Sequence, residues 1–220
     1  MKTLTEKQID ALYLFTQQKG IRYYEVQIEL VDHLASAIER EWENNPEISF
    51  EQALALVYSR FGIWGFDEIE NKKAHALNML HFQRWSRTFL SFFKLPLAIY
   101  TVLIFLLLRE IINLVSFDAF YQPYTGVLIA GSLVYMILLY RRKKQKQRKK
   151  LMLLNFGRAF SLAFNLTWYI HFFILQHLHF PESWVPALVY TALTVLMLSF
   201  IQTSEAIQKQ AEKLYPGAFA

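Results

Sequence analysis

Several histidine and carboxylate side chains lie close together in the sequence near residue 180. His171, His177, His179 and Glu182 carry groups that zinc and other borderline metals accept as ligands. Polar rings are also expected in a short loop at a membrane interface, and the HExxH pattern of zinc peptidases is absent. We therefore predict no bound metal and no cofactor, and keep His177, His179 and Glu182 as the candidate ligands.

A second group of carboxylates lies between residues 25 and 39. Glu25, Glu29 and Asp32, with His33, have the spacing of one helix face, which raises the possibility of a metal site. Metal sites in helical bundles need a Glu-x-x-His pair from each of two helices plus two further Glu, and only one imperfect copy is present. We predict a solvated acidic face that binds a protein partner, with the candidates Glu25, Glu29, Asp32 and Glu39.

Ionisable and amide side chains also interrupt the apolar stretches. Arg109, Glu110, Asn165 and His171 are candidates for function because polar groups are costly inside a membrane. The alternative for Arg109 and Glu110 is a structural role, since both lie near the end of their stretch and can reach the interface. No glycine-rich phosphate loop, nucleophile elbow or catalytic carboxylate pair is present, so we predict that the protein is not an enzyme.

Four apolar stretches must position these residues. A membrane-spanning helix needs about 20 mostly apolar residues. The stretches 95–115, 124–140, 156–175 and 184–201 meet or approach this length. The first thirty residues are polar, so no cleaved signal peptide is predicted. Small residues four apart, Gly126/Ala130 and Ala159/Ala163, favour close helix packing and allow a homo-oligomer.

A run of cations separates the second stretch from the third. It consists of Arg141, Arg142, Lys143, Lys144, Lys146, Arg148, Lys149 and Lys150. Segment 81–94 and the last residues also carry Lys and Arg, whereas 116–123 and 176–183 carry none. Because short cytoplasmic loops are rich in Lys and Arg, we predict a multi-pass protein of the inner membrane with both termini in the cytoplasm.

The basic run is thus first a determinant of topology. It also lies at the level of anionic lipid headgroups, where each cation contributes about 1 kcal/mol of attraction. Docking to an acidic protein surface is an alternative. No aromatic side chains alternate with the cations for base stacking, so we predict no nucleic-acid binding.

Residues 1–80 predict a compact helical head. They carry eight Lys/Arg and thirteen Asp/Glu, a net charge of −5. Thr5 with Gln8, and Ser49 with Gln52, are capping boxes that each predict the start of a helix. The fold class is therefore all-α: a small cytoplasmic helical domain (1–80), a basic juxtamembrane segment (81–94), a four-helix transmembrane region (95–203) with a basic cytoplasmic loop (141–150), and a cytoplasmic tail (204–220).

The head resembles a known bacterial family. The stretches "EVQIELVDHLASAIEREW", "ISFEQALALVYSRFG" and "GFDEIENK" are similar to the HAAS-type helical signalling domain over residues ~5–75. The match rests on Glu29, Asp32, His33, Leu34, Ile38, Phe50, Ala53, Phe61, Gly62, Phe66, Glu68 and Ile69. "IWGFDE" replaces the usual acidic-proline turn. The resemblance implies a regulatory adaptor ahead of several membrane spans, with signalling rather than chemistry as its role.

Together these observations predict an integral membrane regulatory or adaptor protein whose cytoplasmic head binds a protein partner. One mechanism is that the acidic head rests against the basic run by charge and is released by a ligand, lipid or partner. The alternative is a small transporter or channel subunit, in which Arg109, Glu110, Asn165 and His171 line a polar path between the helices.

Overall fold

A computed structural model describes residues 2–62, 65–155, 169 and 183–219. Within these residues the chain forms α-helices and short 3₁₀ turns, and no β-strand occurs among them, which confirms the all-α class. The helices are α1 (Glu6–Gln18), α2 (Tyr24–Asn44), α3 (Phe50–Ser59), α4 (Asp67–Ser91), α5 (Leu97–Val115), α6 (Phe117–Lys146) and α7 (Trp184–Leu214).

The chain divides into two compact units. The head unit comprises Met1–Leu77, Arg148–Met152 and Tyr215–Ala220. The membrane unit comprises Asn78–Gln147 and Leu153–Leu214. The head unit thus contains two short segments that lie far from residue 77 in the sequence, and we call them the closing segments.

Both predicted capping boxes of the head are confirmed. The Thr5 side chain accepts from the Gln8 backbone N–H, and the Gln8 side chain accepts from the Thr5 backbone N–H. Ser49 and Gln52 repeat this exchange at the start of α3. Each box satisfies two backbone donors that the first helical turn leaves without an intrahelical acceptor. The sequence therefore fixes where α1 and α3 begin.

The core of the head is the apolar face of α2. Leu30, Leu34 and Ile38 are fully buried, and Leu12 of α1 and Ala53 of α3 pack into the same cluster. Trp42 closes the far end of this face, where its Nε1 donates to the Ile48 carbonyl at 3.1 Å. One face of α2 is thus buried, while Asp32, Ser36 and Arg40 on its other side are exposed.

Four aromatic rings form one edge of the head. Phe66 packs edge-to-face against Phe15, Tyr58 and Phe61. Gly65 precedes Phe66 with φ of +52°, and a Cβ at this position would lie 2.8 Å from the Tyr58 hydroxyl. Both the backbone conformation and the lack of space require glycine here.

Three helices of the membrane unit are long and apolar enough to cross a membrane. They are Leu97–Val115, Ala119–Arg142 and Trp184–Leu214. α5, the start of α6 and α7 meet in a buried cluster of Leu108, Ile112, Phe120, Ala187, Tyr190 and Leu193. The predicted spans 95–115, 124–140 and 184–201 therefore fall on apolar helices, whereas the predicted span 156–175 lies outside the described residues.

The structure corrects three predicted boundaries. The stretch 116–123, predicted as an outer loop, is helical from Phe117, and Ser116 alone, at φ of 69°, separates α5 from α6. The first part of the basic run, predicted as a loop, continues α6 as far as Lys146. α7 extends to Leu214, so the predicted tail from 204 is largely helical.

Candidate functional site

The carboxylates at the start of α2 have different environments. Glu25 has only 3% of its surface exposed, although the helix pattern placed it on the solvated face. Glu29 is exposed in part and forms an ion pair with Lys73 of α4. Lys73 also donates to the Glu25 backbone carbonyl at 3.4 Å. Glu25 is thus a buried residue, and Glu29 joins α2 to α4.

The other two predicted partner-binding residues also differ from each other. Glu39 is partly buried and accepts a hydrogen bond from the Leu4 backbone N–H at 3.1 Å. Asp32 is exposed, and so is His33 beside it. The structure therefore does not bring Glu25, Glu29, Asp32 and Glu39 together in one open acidic patch.

The surface that remains open on α2 is a mixed-charge stripe. Asp32, Ser36, Arg40 and Glu43 are all exposed and follow each other at spacings of four, four and three residues. Such spacings place side chains on the same face of a helix. We call these four residues the α2 stripe, and it has a net charge of −1.

Two acidic residues at the start of α4 lie in contrasting settings. The ammonium group of Lys72 hydrogen-bonds the Glu68 carboxylate and holds its pKa below the usual range. Burial raises the pKa of Glu70, and the neighbouring charge of Asp67 raises it further, against a smaller opposing effect of Arg22. Neither pKa shift is large. Small shifts of this kind are typical of carboxyl groups that have a structural role at the start of a helix.

The closing segments are joined to the head by backbone hydrogen bonds. The Tyr24 N–H, at the start of α2, donates to the Lys150 carbonyl at 2.8 Å. Arg148 and Lys149 donate their N–H groups to the Ala218 carbonyl at 2.8 and 3.3 Å. The N-cap residue of α2, Tyr23, makes no side-chain cap, so the first closing segment supplies an acceptor for this helix terminus.

Side chains of the closing segments also pack into the head. Leu151, Met152 and Ala218 are buried, and Met152 belongs to the apolar core cluster. The Lys149 ammonium lies 4.0 Å from the centre of the Tyr24 ring, a cation–π contact. This arrangement was not predicted from the sequence, although its signal there is the short apolar stretch 151–154 directly after the run of cations.

Backbone hydrogen bonds and apolar burial hold the first closing segment to the rest of the head. The ion pairs of the head include those of Arg60 with Glu41, Lys72 with Glu68 and Lys73 with Glu29. Arg148, Lys149 and Lys150 reduce the net charge of the head unit from −5 to −2. The first closing segment thus partly neutralises the acidic head.

The candidate residues predicted in the membrane unit fall into two groups: those that the structure describes and those that it does not. Arg109 and Glu110 are exposed on α5, while their neighbours Leu108 and Ile112 are buried. Asn165, His171, His177, His179 and Glu182 lie outside the described residues. In the part of the chain that the structure describes, no group of three metal-binding side chains occurs.

A set of hydroxyl contacts between α6 and α7 was not predicted. The hydroxyls of Tyr124 and Thr194 are 2.8 Å apart, and those of Thr125 and Tyr190 are 3.1 Å apart. Tyr135 reaches Ser204 at 2.5 Å. Their signal in the sequence is the spacing of Tyr190, Thr194 and Ser204, which share one face of a mostly apolar helix. Such contacts join helices inside a membrane.

Comparison with known proteins adds no identification: no protein-family model, no curated protein and no solved structure matches the chain.

Proposed function

We propose that this protein is a membrane-anchored regulatory protein whose helical head binds a protein partner in the cytoplasm. One observation carries the proposal: the head unit includes both closing segments. Arg148 follows the end of α6 by two residues, and Tyr215 directly follows α7. A partner that alters the head therefore acts on the residues that continue into two membrane helices.

The same observation supports four membrane crossings. Residue 77 and the two closing segments belong to one folded unit, so they lie on one side of the membrane. Two crossings, by α5 and α6, return the chain from residue 78 to this side. The chain leaves the side of the head after residue 152 and returns to it at residue 215, which requires an even number of crossings between these residues. α7 supplies one crossing, so another must lie before α7. The predicted span 156–175 is the stretch of sequence suited to that crossing.

The cytoplasm is the side we assign to the head. In the sequence, the cations of 81–94 lie between residue 77 and α5, and those of 141–150 lie at the end of α6. Cytoplasmic Lys and Arg have such positions beside the apolar helices of inner-membrane proteins. Arg141 and Arg142 are exposed and suited to anionic lipid headgroups. The resemblance of residues ~5–75 to HAAS-type domains agrees with a signalling role for the head.

The α2 stripe is the surface we assign to the partner. It is exposed along about three helical turns, whereas Glu25 and Glu39 are held within the head. Its charges of both signs suit a protein surface with complementary charges rather than a small anion or cation. Asp32, at one end of the stripe, is the residue most suited to a test.

Crosslinking in intact cells tests the proposal. A photoreactive residue at Asp32 of the full-length protein is expected to capture one recurrent protein, and the same residue at the exposed Glu6 of α1 is not. Capture from Ser36 is expected to be lost in Asp32→Lys and kept in Glu6→Lys, because only the first variant changes the α2 stripe. Equal capture from Asp32 and Glu6, or capture that survives Asp32→Lys, would contradict the assignment.

A further inference from the structure

The second half of α4 combines aromatic and cationic side chains. Phe82 and Leu90 of α4, and Phe93 two residues beyond its end, have 52%, 56% and 53% of their surface exposed. Arg84 and Arg87 lie between them in the sequence. A helix with large exposed apolar residues and interspersed cations is suited to the boundary between lipid headgroups and acyl chains. This segment was predicted only as a basic approach to the membrane.

A cavity of about 330 Å³ lies between this part of α4 and the last turns of α7. Its volume is at the lower end of the range for small-molecule sites. The lining is Arg84, Arg87, Thr88, Thr203, Ala206, Ile207 and Gln210. Among the lining residues that the structure describes there are two cations and no carboxylate, which gives this part of the cavity a positive electrostatic character.

The donors that remain free in the cavity belong to guanidinium and amide groups, because the threonine hydroxyls already donate their hydrogens to the backbone. The hydroxyls of Thr88 and Thr203 donate to carbonyls of their own helices, those of Arg84 and Ser199, at 3.0 and 2.8 Å. Arg84 donates to the Gln210 side-chain oxygen. This bond assigns the amide NH₂ of Gln210 as a further donor. The remaining guanidinium N–H groups of Arg84 and those of Arg87 complete the donor set.

We propose that this cavity binds the phosphate group of a phosphate ester. A phosphate carries only acceptor oxygens at its charged end, and the planar guanidinium group donates to two of them at once. Ala206 and Ile207 give the site an apolar wall against which the ester's organic part can pack. The proposal is independent of the function proposed for the head, because every lining residue belongs to the membrane unit.

Two sources can supply this chemistry: the headgroup of an anionic phospholipid and a soluble phosphate ester. The exposed aromatic residues beside the cavity favour the lipid, because they place the site at headgroup level. The basic run also attracts anionic lipids, but by charge alone and without a cavity. Lipid held in the cavity should therefore depend more on the cations of the cavity than on the same number of charges elsewhere, whereas lipid attracted by charge alone should not.

The test uses the purified full-length protein in detergent. Native mass spectrometry measures how much dioleoylphosphatidylglycerol the protein retains, and calorimetry measures the binding of glycerol 3-phosphate without lipid. The test variant is Arg84→Gln with Arg87→Gln. The control, Lys209→Gln with Lys213→Gln, removes two charges from exposed positions of α7. Thermal unfolding verifies that each variant is folded.

The test variant is expected to retain lipid about tenfold or more weakly, since it loses the charge-assisted hydrogen bonds from both guanidinium groups to the phosphate. The control is expected to change retention much less. A selective loss of lipid supports the site with a lipid ligand, and a selective loss of glycerol 3-phosphate binding supports it with a soluble one. Equal effects of the two variants, or no effect of either, would overturn the proposal.

A second variant covers the case in which the double variant does not fold. Gln210→Glu keeps a hydrogen-bond partner for Arg84 but adds a negative charge to the cavity. We expect it to fold and to lose phosphate-ester binding, because the new carboxylate repels the phosphate and pairs with Arg84. Binding unchanged in a folded Gln210→Glu protein would also overturn the proposal.

Discussion

At the scale of single residues, His81 of α4 is a buried titratable group outside the apolar spans. Burial lowers its pKa because the charged imidazolium is poorly solvated, and the nearby Arg84 lowers it further. A hydrogen bond with the Leu153 backbone opposes part of this effect. His81 is therefore neutral in the folded protein over a wider pH range than in the unfolded chain, where its pKa is about 6.5.

The lowered pKa of His81 predicts a loss of stability in acid. Neutral His81 contributes fully to the stability of the folded protein at pH values above the pKa that His81 has in the unfolded chain. This contribution is lost as the pH falls through the pKa in the folded protein, because the unfolded chain takes up the proton first. Between about pH 8 and about pH 5, the thermal midpoint of the wild type should fall more than that of His81→Gln. His33→Gln, at an exposed position, should follow the wild type. Equal pH dependence of wild type and His81→Gln would contradict the prediction.

Glu25 illustrates which residue-scale features the sequence can predict. Capping boxes were predictable because Thr5 and Gln8 lie within one turn and their bonds are local. Glu25 has the spacing of a surface residue, yet it is buried in the first turn of α2. The carbonyl that receives the Tyr24 N–H comes from Lys150, far along the chain. Helical periodicity gives no information about a contact between residues so far apart in the sequence. It could therefore not be predicted which acidic residues of α2 are exposed.

At the scale of helices, α6 and α7 are joined by paired hydroxyl groups. The Tyr190 side chain is fully buried, and its hydroxyl lies 3.1 Å from that of Thr125. Hydrogen bonds between membrane helices contribute about 0.6 kcal/mol on average and at most about 1.7 kcal/mol. The pair is therefore expected to support the packing of these helices without dominating it.

A double-mutant cycle measures this pair. We expect Tyr190→Phe and Thr125→Val to be coupled by about 0.5–1.5 kcal/mol in the free energy of unfolding, measured by titration with a denaturing detergent. Tyr140→Phe removes the same group from an exposed position of α6 and should show no coupling with Thr125→Val. Strictly additive effects of Tyr190→Phe and Thr125→Val would show that the hydroxyls do not interact.

The lengths of α6 and α7 show why helix ends were predicted less well than helices. The basic run was treated as a loop because of its charge, but Lys, Arg and Gln are good helix formers, and α6 continues to Lys146. Pro123 lies inside α6, and α5 and α6 are separated by Ser116 alone. Hydropathy identifies the part of a helix that crosses lipid, whereas helix ends depend on propensity and packing beyond it.

At the scale of the whole molecule, the head unit constrains how the chain crosses the membrane. Its three parts, Met1–Leu77, Arg148–Met152 and Tyr215–Ala220, must lie on one side. Positions between α5 and α6, and directly before α7, should then lie on the other side. Ser116 and Ser183 are the described residues at these positions. The chain contains no cysteine, so single cysteines can be introduced and labelled without a background.

We therefore predict that Ser116→Cys and Ser183→Cys react with a membrane-impermeant maleimide in intact cells. Ser36→Cys, on α2, should react only after the membrane is permeabilised. The result for Ser183→Cys decides between topologies, because it depends on a crossing between residues 153 and 183. If it reacts only after permeabilisation, α7 carries the chain to the outside. Tyr215–Ala220 could then not join the head unit, and both the four-span topology and the proposed coupling through the closing segments would be wrong.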